Sequence, residues 1–196
     1  MFPRLLPATR ALILINVGVF LLQLAFPAVM NGFFSLWPRG SGFFHPWQLL
    51  TYGFLHGNFT HLAVNMFALF MFGSTLEQLW GGRRFVIFFL VCVLTAGLTQ
   101  LAVQGLQAQE PTVGASGGIF GILLAFAWYF PRQRIILLFP PIPMPAWLFV
   151  TLYALLELFF GVTGRDAGVA HFAHLGGLLG GALCILYWRA RHRFSS

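Results

Sequence analysis

Residues 111–134 read PTVGASGGIFGILLAFAWYFPRQR. Pro111 breaks structure before this stretch and Pro131 ends any helix after it. Residues 112–130 could make about 28 Å of helix at 1.5 Å per residue, barely enough to cross a ~30 Å hydrocarbon core. Gly114, Gly117 and Gly118 oppose an early helical start, so the helix is expected to begin near Ser116, below the membrane surface. The preceding segment must then dip into the bilayer as non-helical backbone, which is tolerated only where protein covers it or where it lines a wet cavity. Ser116 has two readings on this evidence. It is a small residue that lets helices pack closely, or a hydroxyl at a helix N-terminus whose free N–H groups would favour a developing oxyanion.

The membrane setting follows from composition. Of the 196 residues 59% are hydrophobic and only 8% charged, with a mean hydropathy of +0.83. A soluble domain runs near a quarter charged, and a water-soluble core could not hide this much apolar surface. Net charge is +7, yet all eleven basic residues are arginines grouped at the ends of apolar runs. That is the pattern of topology signals and not of nucleic-acid binding. The two cysteines, Cys92 and Cys184, lie inside apolar runs and offer no disulfide framework.

Apolar length and breakers place six spans, at 10–28, 60–80, 85–106, 113–130, 143–161 and 167–188, in a single membrane domain covering 1–196. The N-terminal apolar run lacks a small-x-small cleavage site and reads as the first span, not a leader. A long outer loop, 29–59, carries Trp37, Phe43, Phe44 and Trp47, which suit the headgroup region. With six spans both termini share one side. That side receives Arg4, Arg10, Arg83, Arg84, Arg132, Arg134, Arg189, Arg191 and Arg193, against Arg39 and Arg165 on the other. Both termini are therefore expected to be cytoplasmic.

Histidine inside a span is costly and by default functional. Span six carries His171 and His174, and His174, Gly177 and Gly181 fall at i, i+3 and i+7 on one face. The glycines let a neighbouring backbone come close, so His174 should face a packed helix and not lipid. HLAVN at 61–65 opens span two, with His61 and Asn65 one turn apart on one face. An imidazole and an amide so placed can donate to a single oxygen, as an oxyanion hole requires. Taken alone, each feature also fits helix packing or a polar helix entry.

Their conjunction favours chemistry. Spans two, four and six all run from outside to inside, and His61, Asn65, Ser116 and His174 lie near the beginnings of those spans. They therefore share a depth on the non-cytoplasmic side. Serine plus histidine is the minimum for nucleophilic acyl transfer, the imidazole taking the serine proton and returning it to the leaving amine. Asp166 reads as the N-cap of span six, and Glu157 in span five has no sequence link to His174. The expectation is a dyad whose histidine is oriented by packing and not by a carboxylate. Metal chemistry is the weaker reading, since there is no HExxH and His171 with His174 has no evident carboxylate partner.

These motifs resemble those of the rhomboid family of intramembrane serine proteases, over most of the chain from span two to span six. GASG at 114–117 resembles the family's G-x-S-G, HLAVN its H-x-x-x-N, AHLGGLLGG at 173–181 its A-H-x-G-G, and GSTLE at 73–77 its G-x-x-x-E. The resemblance implies an all-α polytopic membrane protein, a six-transmembrane-helix rhomboid-like bundle. It implies Ser116 as nucleophile, His174 as general base and acid, and His61 and Asn65 as oxyanion donors, helped by the Ser116 backbone N–H. Gly114, Gly117, Gly177 and Gly181 are implied as supporting residues. Phe120 matches a position, often tyrosine, that packs on the catalytic histidine. PWQ at 46–48 stands where the family often has Trp-Arg, so Gln48 speaks against an arginine-based loop anchor. The implied substrates are transmembrane proteins cut near the non-cytoplasmic end of a span, in the lipid bilayer, with no metal or cofactor. Span five, opening with FPPIPMPAW, is implied as a mobile side gate. The minimal six-span form suits a bacterial inner membrane.

Two rival functions are open to the sequence. One is a rhomboid-like protein that binds transmembrane helices without cutting them; members of that kind usually lack the serine or the histidine, and here both are present. The other is a small transporter, against which stand the absence of an internal repeat and the scarcity of intramembrane charge.

Overall fold

A computed structural model describes residues 4–104, 110–136, 141–164 and 169–193. Arg165 and Asp166 lie outside the described residues, as do the outer ends expected at 105–106 and 167–168. The chain forms a mostly helical bundle. Among the described residues five helical segments are long and apolar enough to cross a membrane, at Pro7–Ala25, Phe59–Trp80, Gly82–Val103, Ala146–Thr163 and His171–Arg191. A sixth, shorter apolar helix spans Ser116–Tyr129. The protein is an integral, multi-pass membrane protein.

The first helix, α1 (Pro7–Ala25), starts three residues before the expected span because Pro7 takes its first turn and Glu77 serves its free N–H groups. Ala8 and Thr9 donate their backbone N–H to the two Glu77 carboxylate oxygens at 2.8 and 2.7 Å, and Thr9 Oγ1 adds a bond of 2.8 Å. Pro27 ends α1 early, since the residue before a proline avoids helical geometry, and opens α2 (Pro27–Phe34). The long outer loop is therefore not irregular throughout. It holds α2, a 3₁₀ turn at Arg39–Ser41, the short α3 (Gln48–Thr51) and a second 3₁₀ turn at Tyr52–Phe54.

Gln48 ties this loop together. Its Oε1 accepts the backbone N–H of Trp37 and His45 at 3.2 Å each, and its Nε2 donates to the carbonyls of Phe33 and Phe43 at 3.3 and 3.0 Å. An amide carries both donors and acceptors, so one fully buried side chain closes the loop without an arginine.

Span two is α4 (Phe59–Ala68), a π turn at Leu69–Gly73 and α5 (Ser74–Trp80). The π turn shifts the helix phase between the half that carries His61 and Asn65 and the half whose Glu77 meets α1. Gly81, at φ +80°, turns the chain into α6 (Gly82–Val103). The next helix, α7 (Ser116–Tyr129), begins at Ser116 and has ten of its 14 residues buried, so it is walled by protein and its apolar character is that of a core helix. At about 21 Å it is too short for a ~30 Å core.

Span five differs from expectation at its start. Pro143–Pro145 forms an edge strand, β2, antiparallel to β1 (Arg134–Ile136), and α8 (Ala146–Thr163) begins only after the prolines. Proline cannot supply the N–H that a helix interior needs but is accepted on a strand edge. In α8 only Ala146, Val150 and Glu157 are buried; Leu152, Leu155, Leu156, Leu158 and Phe159 face outward. The last helix, α9 (His171–Arg193), packs on α6, α7 and α8. At the end of the bundle opposite Ser116, Arg84 lies 5.8 Å over the Trp188 ring and Arg189 lies 5.7 Å over Trp128, which joins three of the arginine-bearing helix ends into one aromatic, cationic rim.

Candidate active site

Glycines bring α7 and α9 into backbone contact. A Cβ on Gly177 would strike the carbonyl of Gly117, and one on Gly181 would come within 3.1 Å of the Gly121 Cα. A side chain at either position would wedge the helices apart. One turn above this contact, His174 Nε2 lies 2.8 Å from Ser116 Oγ. Phe120 stacks on the His174 ring, centroids 4.3 Å apart and planes within 9°, and Tyr153 of α8 covers the other part of Phe120 at 4.9 Å. The face predicted for His174, Gly177 and Gly181 is thus the face turned to α7.

The segment before Ser116 is non-helical, and its backbone groups find partners in the outer loop. Leu36 and Thr112 exchange N–H···O bonds of 3.0 and 2.9 Å, and Gly114 N–H donates to the Tyr52 carbonyl at 2.9 Å. Tyr52 is itself fixed by a 2.8 Å bond from its hydroxyl to the Val93 carbonyl of α6, and burial pushes that phenol's pKa up. These bonds satisfy irregular backbone that lipid could not. Gly114 has φ +133°, and a Cβ there would come within 2.8 Å of His61 Cε1. Only glycine suits that position, in conformation and in space.

His61 and Asn65 reach the same place from α4. Asn58 caps the helix by accepting the His61 N–H at 2.8 Å. Gly57 N–H points at His61 Nδ1 at 3.4 Å, which leaves Nδ1 as acceptor and puts the ring proton on Nε2. Asn65 is buried and its Nδ2 has no partner among the described residues, so an amide donor stands available. His56 packs edge-on against His61, centroids 5.1 Å apart. Burial, with His61 as a second cause, pushes the His56 pKa down to about 4. Ser116, His174, His61 and Asn65 all line one open cavity of about 1110 Å³, together with Gly114, Gly117 and Phe120.

One neighbour of His174 departs from expectation. Glu157 of α8 places Oε2 2.9 Å from His174 Nδ1 and 2.6 Å from His171 Nδ1. A carboxylate therefore does adjoin the histidine, where packing alone was expected, and it is the carboxylate partner that the His171–His174 pair lacked in the sequence. The two contacts are unequal. His171 makes an aligned hydrogen bond, whereas His174 Nδ1 is close but unaligned and has no hydrogen-bond partner among the described residues. The sequence offered no link from Glu157 to His174 and so set it aside, although a carboxylate in an apolar run demands a partner. Gln100, which the sequence did not single out, lines the cavity from α6, and among the described residues its buried Oε1 has no partner.

The fold and the site together define a polytopic helical membrane protein with a serine–histidine pair set at the end of a short central helix, beside a cavity. Residues 44–191 match the Rhomboid domain family model, and the chain belongs to the rhomboid family. It is 33% identical over 133 residues to "Rhomboid protein 1, mitochondrial" of Saccharomyces cerevisiae, covering 66% of this chain and 38% of that protein. It is 31% identical over 135 residues to "Rhomboid protease GluP" of Bacillus subtilis (69% and 24%). Similarity to "Rhomboid protease AarA" of Providencia stuartii is 26% over 204 residues (89% and 70%). The chain thus spans well under half the length of the first two relatives and about two thirds of the third.

Proposed function

We propose that this protein is an intramembrane serine endopeptidase that hydrolyses peptide bonds in or next to transmembrane segments of membrane proteins. The observation that carries the reading is the 2.8 Å approach of Ser116 Oγ to His174 Nε2 beside a cavity that Asn65 and His61 also line. The protease names of the relatives from B. subtilis and P. stuartii agree with it.

His174 Nε2 takes the Ser116 proton as Oγ attacks the scissile carbonyl carbon. The oxyanion that forms is met by the unpartnered Asn65 amide, by His61 Nε2–H and by the free N–H groups at the start of α7. As the C–N bond breaks, His174 returns the proton to the departing amine. Water from the cavity then attacks the acyl carbon, with His174 again as base, and frees Ser116. Glu157 gives the imidazolium a nearby negative charge and favours the tautomer with its proton on Nδ1, which leaves Nε2 free to accept. Its role is electrostatic positioning, because the contact with Nδ1 is not a linear hydrogen bond. The arginine distribution supports an orientation with both termini in the cytoplasm and cleavage toward the opposite face. Wild-type protein in liposomes with a transmembrane substrate should yield two fragments, while Ser116→Ala and His174→Ala yield none. A serine-reactive phosphonate should label Ser116, and a binding-only protein would not be labelled.

A further inference from the structure

Glu157, His171 and His174 come from two helices and converge on one point. Their ligand atoms lie within 4.8 Å of one another, and all three residues are buried. The two imidazoles share a single carboxylate oxygen, at 2.6 and 2.9 Å. That oxygen satisfies His171, while His174 Nδ1 is buried and, among the described residues, without a hydrogen bond. Two ring nitrogens and one carboxylate oxygen this close together are the donor set of a three-ligand transition-metal site.

We propose that these residues bind a divalent transition-metal ion of the zinc class and that occupancy switches the serine–histidine pair off. The inhibitory part rests on the protease reading above; the binding part does not. Imidazole nitrogens and one carboxylate select Zn²⁺, Co²⁺, Ni²⁺ or Cu²⁺ over Mg²⁺ and Ca²⁺, which prefer oxygen. Bonds of about 2.0–2.2 Å to a tetrahedral ion put ligand atoms roughly 3.3 Å apart, so the present cluster need open by less than about 1 Å. The lipid-facing α8, held here by few buried residues, can supply that shift. Of the three residues only His174 is part of the cavity's lining, so an ion would approach past its ring.

The inhibition follows from the tautomer. A neutral imidazole bound to a cation through Nδ1 carries its one proton on Nε2. That N–H donates to Ser116 Oγ and has no lone pair with which to take the serine proton. The Ser116–His174 contact persists, but as the inactive hydrogen bond. The ion also removes the free negative charge that Glu157 offers the imidazolium.

Untagged Ser116→Ala protein in detergent, titrated with Co²⁺, tests binding without any proteolysis. One equivalent should produce the intense visible absorption of a tetrahedral Co²⁺ ion, Zn²⁺ should displace it, and Mg²⁺ should not. His171→Gln should weaken binding at least tenfold. X-ray absorption of the zinc-loaded protein should show two imidazoles and one carboxylate, a readout that needs no cluster variant to fold. In the wild type Zn²⁺ should lower cleavage at least tenfold, reversibly with EDTA, and each variant's zinc sensitivity is read against its own metal-free rate. Absence of stoichiometric Co²⁺ binding, an octahedral all-oxygen ion, or unchanged affinity in His171→Gln would overturn the site. Binding without loss of cleavage would overturn the switch. A wild type that cleaves nothing, yet binds Co²⁺ as described, would count against the protease reading and leave the site standing.

Discussion

At Ser116 and its neighbours the chemistry is set by which groups are left unsatisfied. Asn65 keeps a buried amide without a partner among the described residues, which costs stability unless a ligand or intermediate uses it. Asn65→Ala should therefore lower kcat by about 10²–10³ while leaving KM close to wild type, the signature of a donor that acts on the transition state. Glu157→Gln keeps the shape of the cluster and removes its charge. Steady-state kinetics should show a fall in kcat of roughly tenfold or more, again with little change in KM; unchanged kcat would make Glu157 a structural partner of His171 alone. His56 gives a pH signature away from the serine. Its ring is held neutral, its pKa lowered to about 4 by burial, whereas the unfolded ring titrates near 6.5. Above pH 6.5 the ring is neutral in both states. As pH falls from 6.5 toward 4 only the unfolded state takes the proton, so folding stability declines across that window. Thermal unfolding in detergent should show a lower midpoint at pH 5 than at pH 7, with a smaller difference in His56→Gln.

Among the elements, the α7–α9 contact decides whether the serine and histidine meet at all. The i, i+3, i+7 spacing of His174, Gly177 and Gly181 made that face readable in the sequence, because three small or polar groups on one stripe need a close neighbour. What faces them was not readable: Gly117 and Gly121 are paired with them only by the packed bundle. Gly177→Ala should destabilise the fold by about 1–3 kcal/mol, since the added methyl meets backbone that cannot rotate away; a denaturation midpoint equal to wild type would contradict the packing. The start of α7 at Ser116 was legible from glycines and span length. The anchoring of the preceding segment by Leu36 and Tyr52 was not, because those hydrogen bonds join residues tens of positions apart. Glu157 escaped for the same reason. It is 14 residues from His171 in the chain, on another helix, and no helical or strand period links the two.

For the whole molecule, apolar run lengths and clustered arginines were enough to read a polytopic helical bundle. They missed local departures that packing and proline chemistry impose: the π turn in span two, the short helices of the outer loop and the proline-edged hairpin before α8. The position of the site follows from topology, since α4, α7 and α9 all begin at one end of the bundle and bring His61, Asn65, Ser116 and His174 to a common cavity. The central claim is that this arrangement performs acyl transfer within the membrane. The most direct measurement reconstitutes wild-type and Ser116→Ala protein in liposomes with a transmembrane substrate and follows fragment release by mass spectrometry. The wild type should cut at a defined bond near one end of the substrate helix and Ser116→Ala should release no fragment. Equal cleavage by the two proteins, or none by a folded wild type across a panel of substrates, would contradict it.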